Sequence, residues 1–142
     1  MNIKENIKTL IIKKPLKLDC GQTLNDYPLA YETYGALNTK KDNAILVFHA
    51  LTGDQFVSGT NPITKKDGWW SHAVGQGKAI DTDKYFIICA NVIGGCLGSF
   101  GPSNTNSGTN KFYGTTFPVI TINDMVNAQH NLLEFFKIEK LF

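Results

Sequence analysis

The hydrophobic and polar positions alternate, run together and then repeat with a helical period as the chain proceeds. Residues 15–19 and 24–37 alternate on either side of a glycine turn at residues 20–22, which predicts a β-hairpin. Residues 44–48 and 85–93 are continuous apolar runs, the pattern of strands buried on both faces. The connection between these two runs is long enough for the crossover that joins parallel strands.

The last third of the chain contains the clearest helical pattern. Thr121 is the predicted N-cap, with Asp124 three residues on as a weak capping box, and the helix is expected to end near Lys137. Its apolar face is predicted to comprise Ile122, Met125, Val126, Gln129, Leu132, Leu133 and Phe136. A shorter helix is expected at residues 69–74, and residues 141–142 begin a new apolar run.

Hairpin, buried strand, crossover, buried strand and helix, in this order, predict an α/β sheet. Residues 1–18 are expected to be a poorly anchored N-terminal lead-in, so that residues 19–142 form the folded part. Because the chain stops at an apolar run, we expect a chain cut at the entrance of a further strand.

Composition and charge narrow the classes of function. The chain has 142 residues, is 42% hydrophobic and carries a net charge of +2, which fits one globular domain and favours neither nucleic acid nor a membrane surface as a partner. Its three cysteines form no CxxC pair, which argues against a disulfide framework and a metal site. No apolar stretch is long enough for a signal peptide or a membrane span, so a cytoplasmic protein is expected.

The turn after the first buried strand, His49-Ala50-Leu51-Thr52-Gly53, has two interpretations. In an α/β sheet, groups that bind ligands collect at the carboxyl ends of the strands, where the Leu51 N–H could stabilise a developing oxyanion. Alternatively, the turn only ends the strand, and Gly53 supplies backbone freedom. His49 is interpreted as a hydrogen-bonded structural histidine rather than a catalytic base.

The glycine-rich segment after the second buried strand is a weak candidate for a dinucleotide-binding loop. Gly95, Gly98 and Gly101 are spaced three apart, and Pro102 continues the loop where the fingerprint requires a helix. The segment is therefore expected to be a glycine-rich pocket wall or a tight bend, and no bound cofactor is predicted.

Other reactive side chains are interpreted structurally. Cys96 is predicted to be a small buried residue rather than a nucleophile, because no base lies near it in the sequence. Neither Ser99 nor Ser103 lies in the G-x-S-x-G turn that exposes a nucleophilic serine. The tryptophan pair at residues 69–70 is expected to belong to the core or to a pocket wall.

Seven segments resemble one protein family in their order and spacing, the homoserine O-acetyltransferases of methionine biosynthesis, which are acyltransferases of the α/β-hydrolase fold. The resemblance runs from about residue 19 to the last residue. The segments are YETYGALN at 31–38, NAILVFHALTGD at 43–54, GWW at 68–70, GKAIDT at 77–82, NVIGGCLGS at 91–99, GP at 101–102 and YGTTFPVITINDMVNAQ at 113–129.

The resemblance implies the N-terminal part of an α/β-hydrolase domain, over residues 19–142, truncated before the nucleophile elbow. It implies transfer of an acetyl group from acetyl-CoA, as co-substrate, to the L-homoserine hydroxyl through an acyl-serine. The Leu51 N–H would be half of the oxyanion hole. The nucleophilic serine, the triad Asp and His and a carboxylate-binding arginine are expected beyond residue 142, so this chain alone is predicted to be inactive. A homodimer is also expected.

Several alternatives stay open at this point. A shortened, non-catalytic hydrolase-like module that binds a partner is one of them. Within enzymes, succinyl transfer to homoserine and acylation of serine are the others. Gln76, where the family leads us to expect proline, and Phe100, where a small hydroxyl residue is usual, depart from the family pattern and leave the acyl donor open.

Overall fold

The computed structural model describes residues 7–142, which contain ten short strands and one long helix. The strands are Thr9–Ile12 (β1), Leu16–Lys17 (β2), Thr23–Leu24 (β3), Tyr27–Tyr34 (β4), Ala44–Val47 (β5), Val74–Gly75 (β6), Ile80–Asp81 (β7), Phe86–Ala90 (β8), Thr105–Asn106 (β9) and Lys111–Phe112 (β10). A 3₁₀ turn at Gly114–Thr116 precedes the helix Ile122–Phe136 (α1). None of the helices in this described part is long and apolar enough to cross a membrane.

A four-stranded mixed sheet organises the fold, with strand order β1-β4-β8-β5. β5 and β8 are parallel, in the register Ala44↔Phe86, and β4 is antiparallel to β8. All five residues of β8 are buried, because its side chains pack alternately into two hydrophobic clusters, with Phe86, Ile88 and Ala90 in one and Ile87 and Cys89 in the other. The predicted pair of parallel strands and the crossover between them are therefore confirmed.

The prediction that the first apolar run is buried on both faces is wrong. β5 lies at the edge of the sheet, where Ile45 and Leu46 are only half-buried and Phe48 is 52% exposed. On the outer side of β5, the Phe142 N–H donates a hydrogen bond to the Ala44 carbonyl (2.8 Å). The apolar run that begins at the end of the chain thus contacts this edge of the sheet.

The N-terminal part of the chain is more ordered than its sequence predicts. The predicted hairpin is confirmed beside its turn, where β2 and β3 pair in the register Leu16↔Leu24. The rest of its second arm is β4, which pairs with β1 and β8 instead. The prediction of a poorly anchored lead-in is wrong from Thr9 onward, because β1 pairs antiparallel with β4 and buries Ile12. Leu16 and Leu18 also lie in the same core as the helix residue Leu132. The first six residues of the predicted lead-in lie outside the described residues.

The short helix predicted at residues 69–74 is wrong, since this segment forms turns. The Trp69 N–H donates to the Phe56 carbonyl (3.3 Å) and the Trp70 N–H to the Val57 carbonyl (2.8 Å). These backbone donors bind an earlier loop, so that the chain stays in turns until Val74. There β6 begins and pairs in parallel with β7.

Helix α1 begins and ends as predicted. Thr121 accepts a hydrogen bond from the Asp124 N–H, Asp124 accepts one from the Thr121 N–H, and Lys137 ends the helix in a left-handed conformation. The predicted apolar face is only partly correct, because Ile122 is 71% and Val126 44% exposed. The residues buried on α1 are Asp124, Ala128, Gln129, Asn131, Leu132 and Leu133.

Replacing Thr121 by alanine is expected to lower the free energy of unfolding by about 1 kcal/mol, since the side-chain acceptor at the N-cap is lost. Urea unfolding of the chain, followed by circular dichroism at 222 nm, measures the change. Thr39→Ala is the matched control, because Thr39 is exposed and lies near Lys137, at the end of α1 opposite the N-cap. An equal effect of both substitutions would contradict the capping role.

Asp19 gives a pH-dependent contribution to stability at the same helix terminus. Its carboxylate accepts hydrogen bonds from the Thr121 hydroxyl (2.6 Å) and the Asn123 amide (3.0 Å), and these bonds hold the pKa of Asp19 below its usual range. The stabilisation is therefore present above the unfolded pKa of about 3.9 and is lost as the pH falls through the lower folded pKa. We expect Asp19→Asn to flatten the loss of stability below about pH 4, measured as melting temperature against pH. An unchanged acid slope would exclude Asp19 as its source.

Candidate functional site

The two turns that follow β5 and β8 lie side by side. Both strands run in the same direction, with Val47 opposite Cys89 in the register. The turn 49–53 and the segment 91–98 therefore leave the same edge of the sheet, which is where ligand sites of α/β sheets are found. Gln55 joins the two segments further, since its side-chain amide donates to the Leu97 carbonyl (3.3 Å).

The His49 side chain connects these turns and is only 9% exposed. The backbone N–H of Val92 lies 3.2 Å from Nε2 and can only donate, so Nε2 is the acceptor. Nδ1 then carries the proton and donates to the Ala50 carbonyl at 2.6 Å. Both ring nitrogens are thus engaged, which supports the interpretation of His49 as a structural histidine rather than a base.

The Leu51 N–H is a backbone donor that the fold leaves available. The carbonyl of the same peptide group, that of Ala50, accepts hydrogen bonds from the Gly53 N–H (2.7 Å) and from His49. The described residues contain no cis peptide bond, so the N–H points away from this carbonyl. Within residues 7–142 it donates to no acceptor, and the Leu51 side chain is 81% exposed.

A cavity of about 280 Å³ is lined in part by Leu51. Its walls come from the two turns, from the segment that leads into α1 and from α1 itself. The residues that line it are Leu51, Val92, Gly94, Gly95, Phe117, Pro118, Ile120 and Met125. A mostly apolar cavity with few polar donors on its wall is the usual form of a small-molecule site.

The glycine-rich segment forms both of the structures that the sequence predicts. Gly94 and Gly95 line the cavity. The bend behind them is so tight that a Cβ atom on Gly101 would lie 2.3 Å from the Gly95 carbonyl oxygen. The segment thus brings backbone, rather than side chains, to the wall of the cavity.

The serine and cysteine side chains near the site are not arranged as nucleophiles. Ser99 is buried, donates to the Asn91 carbonyl (2.5 Å) and accepts from the Ala30 N–H (2.9 Å), so its hydroxyl is fully engaged. Cys89 is buried at the end of β8, and burial raises the pKa of its thiol to about 12. The prediction that Cys96 is buried is wrong, because the turn places it on the surface.

The tryptophan pair is neither core nor part of the wall of this cavity. Trp69 and Trp70 stack at a centroid distance of 5.6 Å and are 41% and 37% exposed. The Trp69 indole N–H donates to the Asp54 carbonyl (3.0 Å), which attaches the pair to the segment after the HALTG turn. In the described residues, no group of three or more His, Cys, Asp and Glu side chains could hold a metal ion.

Two curated relatives are similar to nearly all of the chain. The homoserine O-acetyltransferase of Pelagibacter ubique is 81% identical over 142 residues, which is 100% of this chain and 38% of the relative. That of Mesorhizobium japonicum is 60% identical over 129 residues, which is 91% of this chain and 33% of the relative. By sequence, this chain belongs with the homoserine O-acetyltransferases. No protein-family model matches it.

Solved structures support the same assignment. The crystal structure of a homoserine O-acetyltransferase from Bacillus anthracis matches with a TM-score of 0.86 and 31% identity, over 96% of this chain and 38% of that chain. Esterase E22 matches with a TM-score of 0.85 and 31% identity, over 96% of this chain and 39% of that chain. The fold is therefore part of an α/β-hydrolase fold, and the chain spans less than two-fifths of these homologues.

The match extends beyond the region where motifs were recognised. Because the P. ubique homoserine O-acetyltransferase aligns with all 142 residues, the first eighteen also belong to the similar region.

Of the two departures from the family pattern, Phe100 packs on Phe117, a wall residue, at a centroid distance of 5.1 Å. Gln76 is exposed in the turn between β6 and β7.

Sequence reasoning missed the buried polar groups below the two turns. Asn91 directly follows β8, is 2% exposed, and its side-chain amide lies 3.4 Å from Nε2 of His49. Gln55 is fully buried. A polar residue at the end of a buried strand, as at Asn91, is a signal that could have been used, whereas nothing in the local sequence marks Gln55.

Proposed function

We propose that the chain forms part of a homoserine O-acetyltransferase, which transfers an acetyl group from acetyl-CoA to the L-homoserine hydroxyl through an acyl-serine. The observation that carries this proposal is the 81% identity to the P. ubique homoserine O-acetyltransferase over every residue of the chain. The two-step route divides a difficult transfer between two acceptors, first the enzyme and then homoserine. On this proposal the protein acts in methionine biosynthesis.

This segment would supply an oxyanion donor and one wall of the acyl site. The Leu51 N–H, without an acceptor in the described residues and beside an apolar cavity, fits a donor to the negatively charged oxygen of the tetrahedral intermediate. The chain contains no G-x-S-x-G motif, so the serine, Asp and His of the triad would come from elsewhere in the full-length enzyme. The arginine for the homoserine carboxylate would also come from there.

The experiment uses a grafted enzyme, in which residues 1–142 replace the aligned 142-residue segment of the P. ubique protein. We expect release of coenzyme A from acetyl-CoA that depends on L-homoserine, measured with a thiol reagent. Residues 1–142 alone are expected to show no turnover, since a lone oxyanion donor lacks the nucleophile and base. Homoserine-dependent release by the isolated chain, or none by the grafted enzyme, would contradict the proposal.

A second candidate is acetyl ester hydrolysis, because esterase E22 matches the structure as well as the B. anthracis homoserine O-acetyltransferase does. The two reactions share the acyl-enzyme and differ in whether water or homoserine accepts the acetyl group. Measuring the grafted enzyme with and without homoserine separates them. The same assay with succinyl-CoA, or with serine as the acceptor, tests the other acyl donor and acceptor.

The remaining parts of the proposal concern the whole enzyme. It would work as a cytoplasmic homodimer without a bound cofactor, with acetyl-CoA as its co-substrate. A non-catalytic binding module is the alternative from another class. That alternative predicts that residues 1–142 are monodisperse and stably folded, whereas a part of a larger sheet, with β5 at an open edge, is expected to self-associate.

A further inference from the structure

We propose that His49 is a positioning residue, which fixes the Ala50–Leu51 peptide so that the Leu51 N–H is held ready for an oxyanion. This inference rests on the proposed acyl transfer, to which it adds a residue outside the triad. It starts from a group that looks inert, since both nitrogens of the buried ring are engaged.

A peptide group is rigid, so that holding its carbonyl also aims its N–H. The Ala50 carbonyl accepts two hydrogen bonds, from the Gly53 N–H (2.7 Å), which closes the turn, and from Nδ1 of His49 (2.6 Å). With only one of these two hydrogen bonds, the peptide could still tilt about that bond. Together they fix the direction in which the Leu51 N–H points.

The second ring nitrogen attaches this peptide to the segment that follows β8. Nε2 accepts the Val92 N–H at 3.2 Å, and both Val92 and Leu51 line the same cavity. The imidazole therefore sets the position of the donor relative to the wall, besides its direction. Since oxyanion stabilisation depends on donors already in place, this arrangement is what the chemistry requires.

Gly53 also contributes to the hydrogen bond between His49 and the Ala50 carbonyl. A Cβ atom on this residue would lie 3.1 Å from the Ala50 carbonyl oxygen and 3.3 Å from Nδ1 of His49. Such contacts would press on the hydrogen bond between these two atoms. The glycine thus leaves room for the carbonyl to accept the histidine, in addition to allowing the turn.

Two substitutions of His49 test its two hydrogen bonds separately. One bond orients the Ala50–Leu51 peptide, and the other attaches this turn to the segment after β8. In the grafted enzyme, His49→Asn retains an N–H donor near the position of Nδ1, whereas His49→Gln retains an acceptor near the position of Nε2. We expect His49→Gln to lower kcat by about 10–100-fold with the KM for acetyl-CoA unchanged. His49→Asn is expected to recover most of this loss.

The readout is the hydrolysis of p-nitrophenyl acetate beside homoserine acetylation, because both reactions pass through the same kind of oxyanion. Grafted enzyme that hydrolyses the ester but does not acetylate homoserine would refute the proposed transferase activity and still test His49. Equal kcat values for the two variants, or a more active His49→Gln, would overturn the positioning role.

A further variant keeps the test valid if the His49 variants unfold, which their melting temperatures would show. Gly53→Ala keeps the imidazole and adds a Cβ atom 3.1 Å from the Ala50 carbonyl oxygen, 3.1 Å from Cβ of His49 and 3.3 Å from its Nδ1, so it presses on the hydrogen bond between the two residues. It is expected to lower kcat by about tenfold, again with KM unchanged. An unchanged kcat in Gly53→Ala would overturn the proposal.

Discussion

Replacing Leu51 by proline is expected to lower kcat of the grafted enzyme by about 10²–10³-fold, the loss usually found when one oxyanion donor is removed. Proline has no backbone N–H, and the Leu51 N–H donates to no acceptor in the described residues, so its loss breaks no hydrogen bond within the fold. The KM for acetyl-CoA is expected to change little, because the interaction forms mainly in the transition state. Steady-state kinetics at varied acetyl-CoA measure both quantities.

Leu51→Ala is the matched control for this substitution. It keeps the N–H and removes a side chain that is 81% exposed, so its packing is of little consequence. We expect kcat within about threefold of the parent. A loss as large as that of Leu51→Pro would show that the side chain, rather than the backbone donor, matters. Full activity of Leu51→Pro would remove Leu51 from the site.

Replacing Gly35 by alanine is expected to lower the free energy of unfolding by about 4 kcal/mol or more, which places it among the largest effects of single substitutions. Gly35 follows β4 with φ +74°, a conformation that side chains disfavour. An added Cβ would also lie 2.2 Å from the Tyr85 carbonyl oxygen and 2.5 Å from that of Thr82. Both are backbone atoms beside β8, so relief requires movement of the sheet.

Gly77→Ala separates the two causes of this loss of stability, which are the strained backbone conformation and the overlap with backbone atoms. Gly77 has a similar φ of +67°, but no atom lies within 4 Å of an added Cβ. Only conformational strain remains, and we expect a loss of about 1–2 kcal/mol. Urea unfolding of the chain measures both variants. Equal losses for Gly35→Ala and Gly77→Ala would contradict the proposed overlap with the backbone beside β8.

Features that depend on neighbouring residues could be predicted, and those that depend on distant partners could not. Helix α1 was predicted with its cap because Thr121 and Asp124 form a local pattern. Its buried face was partly wrong, because Asp124 accepts from the Asp19 N–H and Asn131 donates to the Tyr27 hydroxyl, at separations of 105 and 104 residues. Strand β1 was missed because a four-residue strand depends on its pairing with β4.

In the candidate site, too, the features set by neighbouring residues could be predicted and those set by distant partners could not. The HALTG turn and the engaged state of His49 could be inferred, since a buried strand that ends in a turn is a local signal. The Val92 N–H that satisfies the ring lies 43 residues away, and no local pattern indicates it. The exposure of Cys96 also depends on the path of its turn, which hydrophobicity does not encode.

The strand order has a consequence for the synthesis of the chain. β8 is the middle partner of β4 and β5, yet it is made after both of them. At roughly 5–20 residues per second, the ribosome leaves both earlier strands without this neighbour for a time on the order of seconds. During that interval their backbone donors and acceptors are open to other nascent chains. The emergence of residues 86–90 is therefore the step after which β4 and β5 are protected from mispairing along the edges that face β8.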